Sequence, residues 1–118
     1  MTHFERAFTK CDVVAAPACG GVAPVIALDA LAHGETDLRA TGELMRFTVP
    51  VNMGGLPAAV VPVGTGEAGM PVGLQLVGRP WDEATVTAVG TALEDEVGGG
   101  AVRGAALGVD LLGRVTKK

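Results

Sequence analysis

The sequence predicts a chain of mixed helix and strand, α/β in class, and three observations predict it. A β-branched apolar run at 58–63 and a second run at 72–78 flank a glycine-rich loop, the pattern of a hairpin. Val86, Val89, Leu93 and Val97 then recur at helical spacing. A shorter apolar run at 12–16 is closed by Pro17, which cannot donate to a ladder, and reads as a further, buried strand. With 118 residues, 48% of them apolar, the chain has the length of one domain and the content for a packed interior. Aromatics supply only 3%, whereas 18 glycines and 7 prolines exceed ordinary usage, so turns and close backbone approaches must shape that interior.

The elements follow in chain order. Residues 2–10 form the end of a short helix in which Phe4 and Phe8 share one face at i, i+4. After the strand at 12–16, Gly20 and Gly21 act as a breaker. From 22 to 42 the pattern is irregular, with Pro24, Gly34, Gly42 and scattered charges. A short helix near 29–32 is expected there, within a surface excursion that leaves His33 in an exposed loop. The stretch from Phe47 to Pro57 sets Pro50, Pro57, Gly54 and Gly55 among large apolar groups, which suits a backbone threaded closely against something else. The hairpin comes next, with its turn between Gly64 and Pro71. Asp82 is an N-cap with Glu83 at the positive end of the dipole, and Ala84, Ala88 and Ala92 keep helix propensity high. Glu94, Asp95 and Glu96 sit at the wrong end for that dipole, so the terminus is expected to fray or lean on a cation. Glycines at 98–100 stop the helix. The expected organisation is therefore a domain over 1–97 and a Gly-rich tail over 98–118 with no assignable structure.

Several function classes fall away. A net charge of −4 with nine basic residues gives no basic stripe for nucleic acid and no attraction to an anionic membrane. No apolar run approaches the ~20 residues that span a bilayer. The charged, helical start is unlike a signal peptide, so a cytoplasmic chain with free thiols is expected. Cys11 and Cys19 lack the paired spacing of a zinc site. Paired with His33 they would make a thiol nucleophile and base, but nothing orients the histidine or stabilises a thiolate. Gly64-Thr65-Gly66-Glu67-Ala68-Gly69 matches a dinucleotide fingerprint and follows a strand, yet that motif needs a helix next and Met70-Pro71-Val72-Gly73-Leu74 is extended. Glu94, Asp95 and Glu96 read as a solvated helix end. Arg46 and Arg79 each adjoin an apolar, proline-containing segment, where a guanidinium is paired to a carboxylate or aimed at a ligand, an ion pair being the default. The chain contains no serine at all, which removes any serine-nucleophile mechanism run by this polypeptide alone.

A resemblance rests on longer motifs. Arg46-Phe47-Thr48-Val49-Pro50-Val51-Asn52-Met53-Gly54-Gly55-Leu56-Pro57-Ala58, then Val61-Pro62-Val63-Gly64, then Met70-Pro71-Val72-Gly73-Leu74-Gln75-Leu76-Val77-Gly78-Arg79-Pro80-Trp81-Asp82-Glu83 resemble the C-terminal region of the amidase signature family. Cys11-Asp12-Val13-Val14-Ala15-Ala16-Pro17-Ala18 is similar to the strand that precedes this block in the family. Several motifs in one order are specific for the family but select no substrate.

The resemblance implies the C-terminal fragment of an α/β protein with a large mixed sheet and helices on both faces. It implies amide C–N hydrolysis by a serine nucleophile, a bridging cis-serine and a lysine base, with glycine N–H groups as oxyanion hole. Those residues lie in a Gly/Ser-rich signature N-terminal to everything matched. The lysines here are Lys10, Lys117 and Lys118, none in a matching context, so no catalytic residue carries over; no cofactor or metal is implied. Arg46, Asn52 and Met53 are the substrate-binding candidates the resemblance implies. Leu44 and Met45 stand where the family's amidotransferases have an acidic residue, which favours a general amidase. The expected partners are a small-molecule amide, once the N-terminal part completes the site, and a partner chain, with no nucleic acid and no membrane. Alone, the fragment is expected to be inactive and to expose strand edges and an apolar face. The alternative is a non-catalytic module that binds a partner through those edges; a thiol hydrolase using Cys11 or Cys19 is a third.

Overall fold

A computed structural model of the chain describes residues 2–34, 36–66 and 69–97; the expected tail at 98–118 lies outside them. Its elements are α1 (Thr2–Phe8), β1 (Val13–Pro17), α2 (Ala30–His33), α3 (Leu38–Leu44), α4 (Thr48–Gly54), β2 (Ala58–Thr65), β3 (Pro71–Gly78) and α5 (Glu83–Glu96). The three strands form one antiparallel sheet in the order β1-β3-β2. The hairpin is present, and β3 is its inner strand. Because β3 is paired on both sides and covered on both faces, residues 75–78 are all buried, without the polar alternation of a solvated face.

Side chains along β3 alternate between two small cores, as the pleat requires. Leu76 packs with Val61 and Val86 on the α5 side, joined by Val13, Ala59, Leu74 and Leu93. Val77, 1% exposed, points the other way and packs with Phe8 and Val51, joined by Phe4, Val14 and Leu56. Helices thus lie on both faces, the α/β layering expected, with antiparallel pairing throughout the described strands. The Ala18 N–H donates to the Gly73 carbonyl (3.0 Å) and the Gly78 N–H to the Pro57 carbonyl (2.9 Å). Counting from these bonds, Pro17 and Pro62 both turn their missing N–H away from β3. Each outer edge is therefore blunted at the same end of the sheet.

The helix after Asp82 forms as expected, Asp82 accepting from the Thr85 hydroxyl at 2.7 Å and the Thr85 N–H at 3.4 Å. Its buried stripe differs by one position. Gly90 lies against the sheet between Val86 and Leu93, and Val89 is 38% exposed. The short helix expected near 29–32 is α2. Two further helices occupy segments read as irregular or threaded. Asp37 caps α3, its carboxylate accepting from the N–H groups of Arg39 (3.0 Å) and Ala40 (2.9 Å). In α4 Pro50 falls in the first turn, where its missing N–H breaks no bond, and Gly55 closes the helix in the left-handed conformation (φ 61°). Pro50 and Gly55 thus mark the start and stop of a helix in a segment expected as a closely threaded backbone.

Arg79 fastens α1 to this sheet. Its guanidinium meets the Asp12 carboxylate at 2.7 Å and donates to the carbonyls of Phe8 (2.8 Å) and Cys11 (3.1 Å), while its carbon lies 5.8 Å from the Phe8 ring centre. Carbonyls at the end of a helix carry the negative end of the dipole, so a cation there satisfies acceptors the helix cannot. Arg79→Met is expected to lower stability by about 1–3 kcal/mol, because the carbonyl bonds go with the charge. Asp12→Asn is expected to cost under about 1 kcal/mol, since Asp12 is largely exposed. Two glycine substitutions should act in opposite directions. At Gly78 an added Cβ would run into the Val86 side chain, and Gly78→Ala is expected to cost about 1–3 kcal/mol. At Gly90 it would meet Val61 and Leu76 at 3.6 and 3.8 Å, ordinary contacts, so Gly90→Ala should stabilise α5 by about 0.5–1 kcal/mol. Urea unfolding of the four variants beside the parent chain checks all four signs.

Candidate functional site

At the blunted end of the sheet the chain encloses an open cavity of about 650 Å³, within the usual size range of small-molecule sites. The end of β1 (Pro17) and the start of β3 (Pro71, Val72, Gly73) make its floor. The loop 18–24 and the α3–α4 junction (Leu44, Arg46, Phe47) make its walls, and Met70 closes one side. Two smaller hollows of about 170 and 180 Å³ adjoin it along α3.

Backbone approach builds this cavity. Gly20 lies so close to the Glu43 carbonyl that any Cβ would collide with it, and the Gly20 N–H donates to the Leu44 carbonyl at 3.4 Å. One turn on, the Thr48 hydroxyl donates to the Ala18 carbonyl at 3.4 Å. Together these hold the loop against the α3–α4 junction. On the floor, a Cβ at Gly73 would stand 2.8 Å from a Val60 methyl and 3.1 Å from the Ala18 Cβ, so only glycine leaves this row unstrained.

The lining is apolar apart from Cys19 and Arg46. Arg46 is paired to Glu43 at 2.6 Å, one helical turn back, with both side chains more than half exposed. Both arginines singled out in the sequence are thus in ion pairs, and Arg46 also borders the cavity. Asn52 and Met53 do not border it. They sit on the exposed side of α4, Met53 85% exposed, while Val51 alone of that helix is buried. His33 is exposed at the end of α2, and the half-buried Cys11 donates its thiol to the Ala7 carbonyl at 3.3 Å. The Gly66 N–H donates to the Met70 carbonyl at 2.8 Å, and Gly69 has φ 73°, a hairpin turn leading into β3. With a strand rather than a helix after it, the glycine motif offers no dipole end to a phosphate. No described helix is long and apolar enough to cross a membrane.

Sequence reasoning reached Arg46 but missed most of the cavity. The loop 18–24 gave one signal, the Cys19-Gly20-Gly21 run, and glycines serve as breakers and as close-approach sites alike. What the site can do follows from its chemistry: an apolar group fits within, and one cation at the wall can meet an oxygen or anion.

The amidase family model matches residues 1–87. A fatty acid amide hydrolase of Medicago truncatula is 52% identical over 94 residues, 80% of this chain and 16% of that protein. A glutamyl-tRNA(Gln) amidotransferase polypeptide of Zymomonas mobilis is 46% identical over 95 residues, again 80% of this chain and 18% of the relative. The solved structure of a 6-aminohexanoate cyclic dimer hydrolase superposes with a TM-score of 0.64 at 32% identity, over 80% of this chain and 21% of that one. The chain thus spans less than a fifth of the length of these two curated relatives. Sequence and fold agree in that match, and the chain belongs to the amidase family.

Proposed function

We propose that this polypeptide supplies scaffold and the apolar wall of a substrate pocket to an amidase that hydrolyses the C–N bond of a carboxylic amide. The bond-breaking groups, a Ser/cis-Ser/Lys set, would lie outside these 118 residues. The observation that carries the reading is the cavity at the sheet end: it can hold an acyl group, and its described lining contains no hydroxyl nucleophile. An amide carbonyl needs an activated nucleophile as well as donors for the developing oxyanion, and no serine stands in the described wall to provide the first. The names of the relatives, one acting on fatty acid amides, support an apolar acyl group as the part accommodated. Arg46 borders the cavity and is the proposed substrate-contacting residue of this wall; Asn52 and Met53, exposed on α4, are proposed to face the completing part.

A second feature supports the reading. Gln75 is 5% exposed, and its Oε1 has no hydrogen-bond donor among the described residues. By the pleat it shares the α1/α4 side with Val77. Leaving such an acceptor buried and unmade costs about 1–3 kcal/mol, and a donor from the completing part of the domain would remove that cost. Exposed apolar residues at Val25, Ile26, Leu28 and Leu38 likewise fit a surface covered by further protein. The cytoplasm is the proposed compartment.

The purified chain assayed on simple aliphatic amides is expected to give no turnover above background. Co-expression with a polypeptide carrying the Gly/Ser-rich signature and its lysine is expected to restore it. Robust hydrolysis by the chain alone would refute the reading. Gln75→Met is expected to stabilise the isolated chain by about 1 kcal/mol, by removing the unmade bond, and to weaken the completed assembly. Unfolding of the variant with and without the partner polypeptide checks both.

A further inference from the structure

We propose that Arg46 reads the oxygen-bearing head of an acyl chain seated in the cavity, so that this wall binds a long-chain carboxylate in preference to a neutral or cationic chain of equal length. The inference rests on the reading of the cavity as a pocket wall and adds a ligand class and a specificity residue to it. Three observations carry it. The cavity, about 650 Å³, has room for an extended hydrocarbon chain, and residues such as Val22, Leu44, Phe47 and Val72 line it. Among the described residues, Arg46 is the one charged side chain in that lining. Glu43 occupies only one end of the guanidinium, NH2 at 2.6 Å, and the guanidinium makes no other hydrogen bond among the described residues.

The arrangement has a definite chemical consequence. A guanidinium presents five N–H donors in a planar fork, and a single carboxylate contact leaves donors over for a second acceptor. Glu43 therefore does two things. It pins one end of the guanidinium from one turn back on α3, and it competes electrostatically with any anion that arrives. A carboxylate whose chain fills the cavity meets the remaining donors in a charge-assisted contact. A neutral alcohol forms a weaker bond, and an ammonium is repelled. The apolar wall contributes equally to all three, so the difference between heads isolates Arg46 from the hydrophobic term.

The test titrates the full chain with decanoate, decan-1-ol and decyltrimethylammonium, followed by calorimetry and by backbone amide shifts. Decanoate is expected to bind about fivefold more tightly than the alcohol, in keeping with one charge-assisted contact at a partly exposed site, and the ammonium most weakly. Arg46→Gln should bring decanoate down close to the alcohol and change the alcohol little, since the glutamine amide still donates to a hydroxyl. Glu43→Gln should tighten decanoate about threefold, because the competitor is gone. Cys19→Phe, which narrows the cavity, should weaken every probe and serves to locate the binding. Equal affinity for decanoate and decan-1-ol would overturn the proposal, as would an Arg46→Gln variant that loses both probes together, the mark of a purely structural role. Absence of binding by any probe also overturns it. The amidase reading is then judged separately, by turnover in the completed enzyme.

Discussion

Burial of β3 on both faces is the constraint from which the rest of this structure follows. Four consecutive residues, Gln75, Leu76, Val77 and Gly78, are buried, and adjacent ones face opposite layers. A strand in that position needs partners on two edges and covers on two sides. β1 and β2 provide the edges, α5 one cover, and α1 with α4 the other. The glycines on this strand are part of the same requirement. Gly78 lets α5 return directly over the sheet, because Val86 occupies the space a side chain would need. Gly73 lets Val60 and Ala18 close across the strand's beginning.

Each core is small. The buried apolar residues described are Phe8, Val51, Val61, Leu76, Val77 and Val86, three to a side. Polar devices therefore matter more than in a thick domain. Arg79 joins α1 to the sheet through two carbonyls, a carboxylate and an aromatic face at once, and the caps at Asp37 and Asp82 start helices that are otherwise short or glycine-bearing. The outward-turned prolines at Pro17 and Pro62 remove donors from both edges at the cavity end. Strand addition is thus disfavoured at that end, where the concave wall forms.

The wall itself is made by backbone meeting backbone. Gly20 against the Glu43 carbonyl and Thr48 on the Ala18 carbonyl bring a loop that is remote in sequence against the α3–α4 junction. The resulting pocket is lined by apolar groups apart from Cys19 and Arg46.

The sequence by itself determined the elements whose signals are local and periodic: the hairpin with its glycine turn, the capped helix after Asp82, the Phe4–Phe8 face and the strand ending at Pro17. Its motifs also determined the family, because ordered runs of unusual residues survive without knowledge of contacts. The helix at 48–54 escaped because Pro50 and Gly55 carry the same letters whether they break a segment or begin and end one; only position within the turn separates the two. The shift of the α5 stripe from Val89 to Gly90 has a similar origin. A glycine registers no hydrophobicity, yet it is what lets the helix approach Val61 and Leu76 closely. Tertiary structure alone decided that Arg79 is spent on α1 while Arg46 borders a cavity, and that Asn52 and Met53 stand apart from it. Those outcomes depend on which carbonyls and carboxylates arrive beside a guanidinium, and residues separated by long stretches of chain meet only once the sheet has been assembled.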